Sequence, residues 1–130
     1  MTLDLSSPNP SHAKVNGPRH VFVALGYSFD GFRRLLKETA FRHELFAAIF
    51  IFCSFVLAGA AAINYLVQAA LVLMLLASEA LNTAIELIVD RISPELSISA
   101  KQAKDLGSFA VFCMLLTNGL FALFVLCLTV

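Results

Sequence analysis

Two long stretches of the chain carry no charged side chain. They cover residues 45–78 and 106–130, and apolar residues dominate both. A transmembrane helix needs about 20 predominantly apolar residues. Because a short turn at residues 59–64 divides the first stretch, the pattern predicts three membrane-spanning helices. The predicted spans are about 45–58, 65–84 and 106–128.

The second helix is predicted to extend beyond the membrane. Its helical pattern continues to residue 92 and ends at Ser93-Pro94, because a residue before proline disfavours the helical backbone. At 1.5 Å per residue, a helix from residue 65 to residue 92 is about 42 Å long, which exceeds the roughly 30 Å hydrocarbon core. Residues 93–100 are predicted to form a short polar cytoplasmic loop before the third span.

The residues that precede the first span divide into two parts. Residues 1–18 are rich in Ser, Pro and Asn and are predicted to be a disordered cytoplasmic tail, so the membrane-embedded domain covers residues 19–130. From about residue 20 to residue 38, apolar residues recur at steps of three and four, which predicts an amphipathic helix. This helix would lie on the membrane surface or pack on the cytoplasmic ends of the spans. The predicted fold class is therefore all-α.

Composition and charge exclude one class of partner and set the orientation. The 130 residues are 59% hydrophobic and 14% charged with a formal net charge of zero, so no excess of positive charge indicates a nucleic-acid partner. All nine Lys and Arg residues lie before the first span or between the second and third spans. The positive-inside rule then places the N-terminus in the cytoplasm and the C-terminus outside. The three cysteines show no metal-ligand spacing and are expected to be small apolar residues of packed helices.

One face of the second helix carries polar side chains into the membrane. At 100° per residue, four polar residues of this helix fall within roughly 80° of one another. They are Glu79, Asn82, Glu86 and Asp90. Measured from the outer end, Glu79 lies about 21 Å along the helix, inside the inner leaflet, and Glu86 about 31 Å along it, at the cytoplasmic boundary. An acid at membrane depth is costly unless it faces protein, water or a ligand, so these residues are a candidate functional site.

These residue types suit phosphoryl transfer to a lipid alcohol. Glu86, with Glu38 as a candidate partner, offers the hard oxygen ligands that Mg²⁺ prefers, and this ion is usually shared with substrate phosphates. Lys104 would neutralise phosphate oxygens, and Asn82 would orient groups through hydrogen bonds. Glu79 lies deeper, where a lipid hydroxyl reaches it, and is the candidate general base.

The pattern by itself leaves another class of function open. No Gly-x-x-x-x-Gly-Lys and no Gly-x-Gly-x-x-Gly sequence occurs, so the site is not of the P-loop or protein-kinase type. Polar residues in membrane spans also join the helices of an oligomer or line a proton or cation path. The alternative hypothesis is therefore an oligomeric proton or cation conductor that uses Glu79.

Five segments of the chain together form a specific pattern. They are residues 26–28, 38–44, 79–86, 89–95 and 103–108. The specific part is Glu-x-x-Asn-x-x-x-Glu, followed by Asp-Arg and then by Ala-Lys-Asp. With these segments in this order, the chain resembles the small prokaryotic diacylglycerol kinases, a family that includes the undecaprenol kinases of Gram-positive bacteria. The segments at 41–44 and 104–108 look more like the diacylglycerol branch.

The resemblance implies a homotrimer of three-span subunits in the bacterial inner membrane, with active sites between subunits. It implies an enzyme that uses ATP to phosphorylate the hydroxyl of diacylglycerol, giving phosphatidic acid, with undecaprenol as the alternative substrate. Glu79 would take the proton from the lipid hydroxyl, and Glu38 and Glu86 would hold Mg²⁺. The residues implied around ATP are Tyr27, Glu38, Asn82, Glu86, Glu95, Lys104 and Asp105. Those implied near the lipid are Arg42, Glu79 and Ser108.

The chain departs from the family pattern at one place. Family members often carry an aromatic residue followed by His directly after the position of Glu95, whereas this chain has Leu96-Ser97. Side-chain contacts from those two positions are therefore not carried over.

Overall fold

The computed structural model describes residues 19–95 and 97–129, with side chains from residue 21 onward. Within these ranges the helices are α1 (Arg19–Leu35), α2 (Thr39–Ala58), α3 (Ala62–Ile92) and α4 (Ile98–Thr129). The last three are long and apolar enough to cross a membrane, which confirms the predicted all-α class and the predicted number of spans. The predicted tail at residues 1–18 lies outside the described residues, as does Leu96.

α1 is a continuous helix of 17 residues. Gly26 and Gly31 lie inside it without breaking it, although glycine in a helix costs conformational entropy. The guanidinium carbon of Arg33 lies 4.5 Å from the centre of the Phe29 ring, a cation–π contact within the helix. The helix ends at Leu35, before the predicted end at residue 38. Its location on the membrane surface stays a prediction.

A tight turn at residues 59–61 joins α2 to α3. Gly59 ends α2 with a left-handed backbone at φ 68°, a conformation that favours glycine. The N–H groups of Gly59 and Ala60 donate to carbonyl oxygens in the last turn of α2, at 3.2 and 3.0 Å. Because α3 already begins at Ala62, the prediction of a turn over residues 59–64 was too long. α2 begins at Thr39, so residues 39–44, which precede the first predicted span, also belong to the helix.

α3 ends at Ile92 and α4 begins at Ile98, so the prediction that the loop between them extends to residue 100 was wrong. Ser97 explains the earlier start of α4. Its hydroxyl accepts a hydrogen bond from the N–H of Ala100 at 3.2 Å, and its carbonyl accepts one from the N–H of Lys101 at 3.0 Å. A serine in this position satisfies N–H groups that a helix start leaves unpaired, and residues 98–100 can therefore join the helix.

The three long helices pack together, with the most extensive contact between α3 and α4 and with α2 against both. Near the turn between α2 and α3, Phe55, Ala122 and Val125 form an apolar core, and Tyr65 packs edge-on against Phe55 with ring centres 5.7 Å apart. The thiols of Cys53, Cys113 and Cys127 are free and are exposed on the single chain.

A buried polar contact joins α3 to α4 within the apolar region. The Nε2 of Gln68 donates to the Oδ1 of Asn118 at 2.7 Å, and the Gln68 side chain is fully buried. The Nδ2 of Asn118 donates to the carbonyl oxygens of Leu71 and Met114, at 3.1 and 2.8 Å. Asn118 is thus held by both helices, whereas the Oε1 of Gln68 has no partner among the described residues.

We expect Asn118→Leu to destabilise the protein more than Gln68→Leu. Removing Asn118 leaves the whole Gln68 amide buried without a partner, at a cost of about 1–3 kcal/mol. Removing Gln68 leaves the Oδ1 of Asn118 without its donor, but it keeps both hydrogen bonds of the Asn118 Nδ2 and deletes the unpaired Oε1. Unfolding of the purified protein in increasing SDS would measure both. Thr117→Val is the control, because it removes only an exposed hydroxyl that donates to the carbonyl of Cys113 on the same helix; equal effects of the two main variants would contradict the expectation.

Candidate active site

The carboxylates of Glu38 and Glu86 both lie within electrostatic reach of Glu79. Glu38 is the N-cap residue of α2, and Glu79 and Glu86 lie about two turns apart on α3. Glu79 is only 5% exposed, and its carboxylate interacts electrostatically with both other acids. The tertiary structure therefore brings the predicted base together with the two predicted metal ligands.

Glu44 on α2 completes this group, which we call the acidic cluster (Glu38, Glu44, Glu79 and Glu86). Its side chain is 6% exposed and interacts electrostatically with Glu79. Its Oε2 is buried and has no hydrogen-bond partner among the described residues. The sequence pattern did not single out Glu44, because solvated acids are common at a membrane boundary. In the sequence it is the last charged residue before the uncharged stretch, and it ends the segment 38–44 of the family pattern.

Asn82 lies between the acidic cluster and α4. Its Nδ2 donates to the Oε1 of Glu86 at 3.4 Å, which links the amide to a predicted metal ligand. Its Oδ1 is buried, has no hydrogen-bond partner within the described part of the chain, and lies against Gly107 of α4. A Cβ atom on Gly107 would overlap this Oδ1. Glycine at residue 107 therefore makes the room that the Asn82 amide occupies.

Lys104 brings a positive charge to the end of the site that lies toward the C-terminus of α3. Its Nζ lies 2.7 Å from the Oδ1 of Asp90, one turn beyond Glu86 on α3, and it also interacts electrostatically with Glu86. Lys104 of α4 and the polar face of α3 therefore meet across the contact between these two helices.

The other predicted site residues are exposed; they are Tyr27, Arg42, Glu95, Asp105 and Ser108. Asp105 pairs with Lys101 of its own helix at 3.3 Å, and the Nη2 of Arg42 donates to the Oγ1 of Thr39 at 3.4 Å. The carbonyl of Glu95 accepts a hydrogen bond from the Ser93 hydroxyl at 2.9 Å. Each of these three contacts joins residues that are close in the sequence.

Glu38 and Glu86 offer carboxylate oxygens as ligands to a divalent cation, and other ligands would complete the coordination of that cation. Within residues 21–95 and 97–129, no group of three or more His, Cys, Asp or Glu side chains could hold a metal ion by itself. Mg²⁺ usually keeps several waters and takes one or two carboxylates together with substrate phosphates, whereas Zn²⁺ prefers Cys and His ligands. The donor set present here therefore fits Mg²⁺ shared with a phosphate-bearing substrate.

Comparison with known proteins identifies the family. The model of the family described as prokaryotic diacylglycerol kinase matches residues 26–126 of the chain. The chain belongs to this family. It is 50% identical to a diacylglycerol kinase of a Sinorhizobium species over 112 residues, which cover 86% of this chain and 82% of that protein. It is 37% identical to the Haemophilus influenzae diacylglycerol kinase over 108 residues, covering 82% of this chain and 92% of that protein.

The similarity extends to a third relative, the diacylglycerol kinase of Escherichia coli strain K12, at 35% identity over 98 residues that cover 75% of this chain and 80% of that protein. Membership of the family confirms the resemblance recognised in the five segments and makes the protein a kinase of the membrane. The matched region includes every residue of the predicted site, from Tyr27 to Ser108. Of the two classes left open by the pattern, the enzyme is favoured over the ion conductor.

Proposed function

We propose that the protein transfers the γ-phosphoryl group of ATP to the hydroxyl of diacylglycerol, giving phosphatidic acid and ADP. The observation that carries this proposal is the position of buried Glu79 beside Glu38 and Glu86, on helices apolar enough to cross a membrane. Such an arrangement lets a lipid hydroxyl meet a water-soluble phosphate donor at one place. The relatives named diacylglycerol kinase support this lipid as the substrate.

In the proposed mechanism, Glu79 is the general base. Its carboxylate accepts the proton of the lipid hydroxyl while the hydroxyl oxygen forms a bond to the γ-phosphorus. The bond from the γ-phosphorus to the bridging oxygen of ADP breaks in line with the attack. The catalytic contribution of the protein to such a transfer is mainly positioning and the neutralisation of charge.

The residues near the cytoplasmic end of α3 would bind the phosphates. Glu38 and Glu86 would hold Mg²⁺, which neutralises charge on the phosphates of ATP when it is bound. Asn82 would orient the carboxylate of Glu86 through the hydrogen bond from its Nδ2. Lys104 would place its ammonium group beside the phosphate oxygens.

The predicted residues with exposed side chains would lie at the edge of the proposed site. We propose that Tyr27, Glu95 and Asp105 contact the nucleotide, and that Arg42 and Ser108 lie near the lipid. Their exposure leaves them accessible to a ligand or to a second subunit.

We propose a homotrimer in the bacterial inner membrane, with the N-terminus in the cytoplasm and the C-terminus outside. Large apolar side chains such as Phe50, Leu73 and Leu120 are exposed on the three long helices of the single chain. These surfaces need lipid or other subunits to cover them. The orientation follows from the Lys and Arg residues on one side of the predicted spans.

Lipid phosphorylation by the purified full-length protein tests the proposed function. The protein would be placed in phosphatidylcholine vesicles with γ-labelled ATP, Mg²⁺ and either diacylglycerol or undecaprenol. We expect label in phosphatidic acid and a rate that depends on diacylglycerol. Label found only in undecaprenyl phosphate would show that undecaprenol, not diacylglycerol, is the substrate. Proton or cation flux without any labelled lipid would favour the ion conductor.

We expect Glu86→Gln to raise the KM for Mg·ATP and to lower kcat. The substitution removes one charged ligand of the proposed metal, and a hydrogen bond to a charged group is worth about 1.5–3 kcal/mol, or roughly 10- to 150-fold in binding. Raising the Mg²⁺ concentration should restore part of the activity. If the variant instead lost only its oligomeric assembly, with an unchanged KM for Mg·ATP in the assembled fraction, Glu86 would have a structural role.

A further inference from the structure

The contact between Asp90 and Lys104 differs from the other ion pair of the described residues. Lys101 and Asp105 lie four residues apart on α4, and both are well exposed. Asp90 and Lys104 belong to different helices, at a shorter distance of 2.7 Å between the Nζ of Lys104 and the Oδ1 of Asp90. This pair therefore determines where the ammonium group of Lys104 lies relative to α3.

The two side chains of this pair are unequally exposed. The Asp90 side chain is 65% exposed, whereas the Lys104 side chain is 31% exposed and also interacts electrostatically with Glu86. Because Asp90 follows Glu86 by one turn on the same face of α3, the ammonium group is held near both carboxylates. A free lysine side chain of four rotatable bonds would otherwise sample many positions around the end of α4.

The geometry points to Asp90 as a positioning residue for Lys104, holding its ammonium group where the phosphates of ATP would bind beside Glu86. This inference rests on the proposed function, in which Lys104 contacts those phosphates. Asp90 itself need not touch the nucleotide. Its role is to restrict the lysine, so that less conformational freedom is lost when the phosphates arrive.

Two other roles for Asp90 predict different behaviour. An ion pair this exposed that only stabilises the fold contributes little to stability and would leave substrate binding unchanged. If the Asp90 carboxylate only repelled the anionic nucleotide, removing its charge would make ATP bind more tightly. A positioning role predicts weaker ATP binding that depends on the presence of Lys104.

A double-mutant cycle on the KM for ATP tests the inference, using the full-length protein in vesicles with saturating diacylglycerol. We expect Asp90→Asn to raise this KM roughly tenfold, within the range of coupling between residues in direct contact, and to leave the KM for diacylglycerol unchanged. In the Lys104→Gln background, Asp90→Asn should have no further effect. Asp90→Glu, which keeps the charge, should recover part of the loss.

The control is Asp30→Asn, the same acid-to-amide change at an exposed position of α1 outside the proposed site, which should leave the KM for ATP unchanged. The thermal unfolding temperature of Asp90→Asn should be close to that of the unmodified protein, because an exposed ion pair contributes little to stability. An unchanged or lowered KM in Asp90→Asn, or effects of the two substitutions that simply add, would overturn the positioning role while leaving the proposed function intact. If Lys104→Gln alone left the KM for ATP unchanged, the role of Lys104 in the proposed function would fail, and the positioning role with it.

Discussion

Replacing Glu79 by Gln is expected to lower kcat for lipid phosphorylation by roughly 100- to 10,000-fold, the usual contribution of a general base. Glutamine keeps the size of the side chain but cannot accept the proton of the lipid hydroxyl. The KM for ATP should change little, because the proposed nucleotide contacts lie further toward the C-terminal end of α3. Steady-state kinetics in vesicles, with labelled ATP and diacylglycerol, would measure both constants.

The folded state should tolerate this substitution. Glu79 is buried and lies within electrostatic reach of Glu38, Glu44 and Glu86, so removing its charge removes repulsion. We therefore expect unfolding in SDS to require as much detergent as before, or more. Asp30→Asn is the matched acid-to-amide control at an exposed position of α1 outside the proposed site, and should keep full activity. Retention of most of the activity in Glu79→Gln would exclude its role as the base.

The second large effect is expected at a residue without a side chain. In Gly107→Ala, the new Cβ would overlap the Oδ1 of Asn82 and come within 3.6 Å of the Cδ1 of Ile85. The Asn82 amide must then move, and its hydrogen bond to Glu86 must change with it. We expect overpacking to cost about 1–3 kcal/mol of stability. We expect kcat to fall by about 100-fold, as it does when a positioned group is misplaced by about 1 Å.

Gly119→Ala is the matched control on the same helix. Its Cβ would meet no atom within 4 Å, and both substitutions gain the same helix propensity, so the difference between them isolates the contact with Asn82. Unfolding in SDS and steady-state kinetics would be measured for both variants. Combining Gly107→Ala with Asn82→Ala should restore stability, because the clash is gone, but not activity. Equal stability of the Gly107 and Gly119 variants would contradict the close approach of α4 to Asn82.

The local sequence pattern predicted the number of helices better than it predicted where each helix begins. The absence of charge over residues 45–78 and 106–130 was sufficient to predict three spans, because the requirement for an apolar surface acts on each helix separately. The beginning of α4 was predicted too late, although Ser97 is a residue type that caps helices. The apolar pattern marks where a helix enters lipid, whereas capping and hydrogen bonding decide where the helix itself begins.

Within the site, the sequence alone determined which residues share a face of α3. Glu79, Asn82 and Glu86 follow the helical period, and a period is a property of a single segment. The family was likewise recognisable from short segments in order, and the match over residues 26–126 confirms it. Roles drawn from the family for individual residues stay proposals that the experiments above test.

Only the tertiary structure decided what lies opposite that face. It buries Glu44 beside Glu79, sets Gly107 against the Asn82 amide, and joins Asp90 to Lys104 across two helices. The Gln68–Asn118 contact joins residues 50 positions apart in the chain. The physical reason is that such contacts depend on the rotation and register of one helix against another, and these follow from the packing of whole surfaces. A periodic pattern specifies which side of a helix is polar, but it does not specify which residue of a distant helix will meet it.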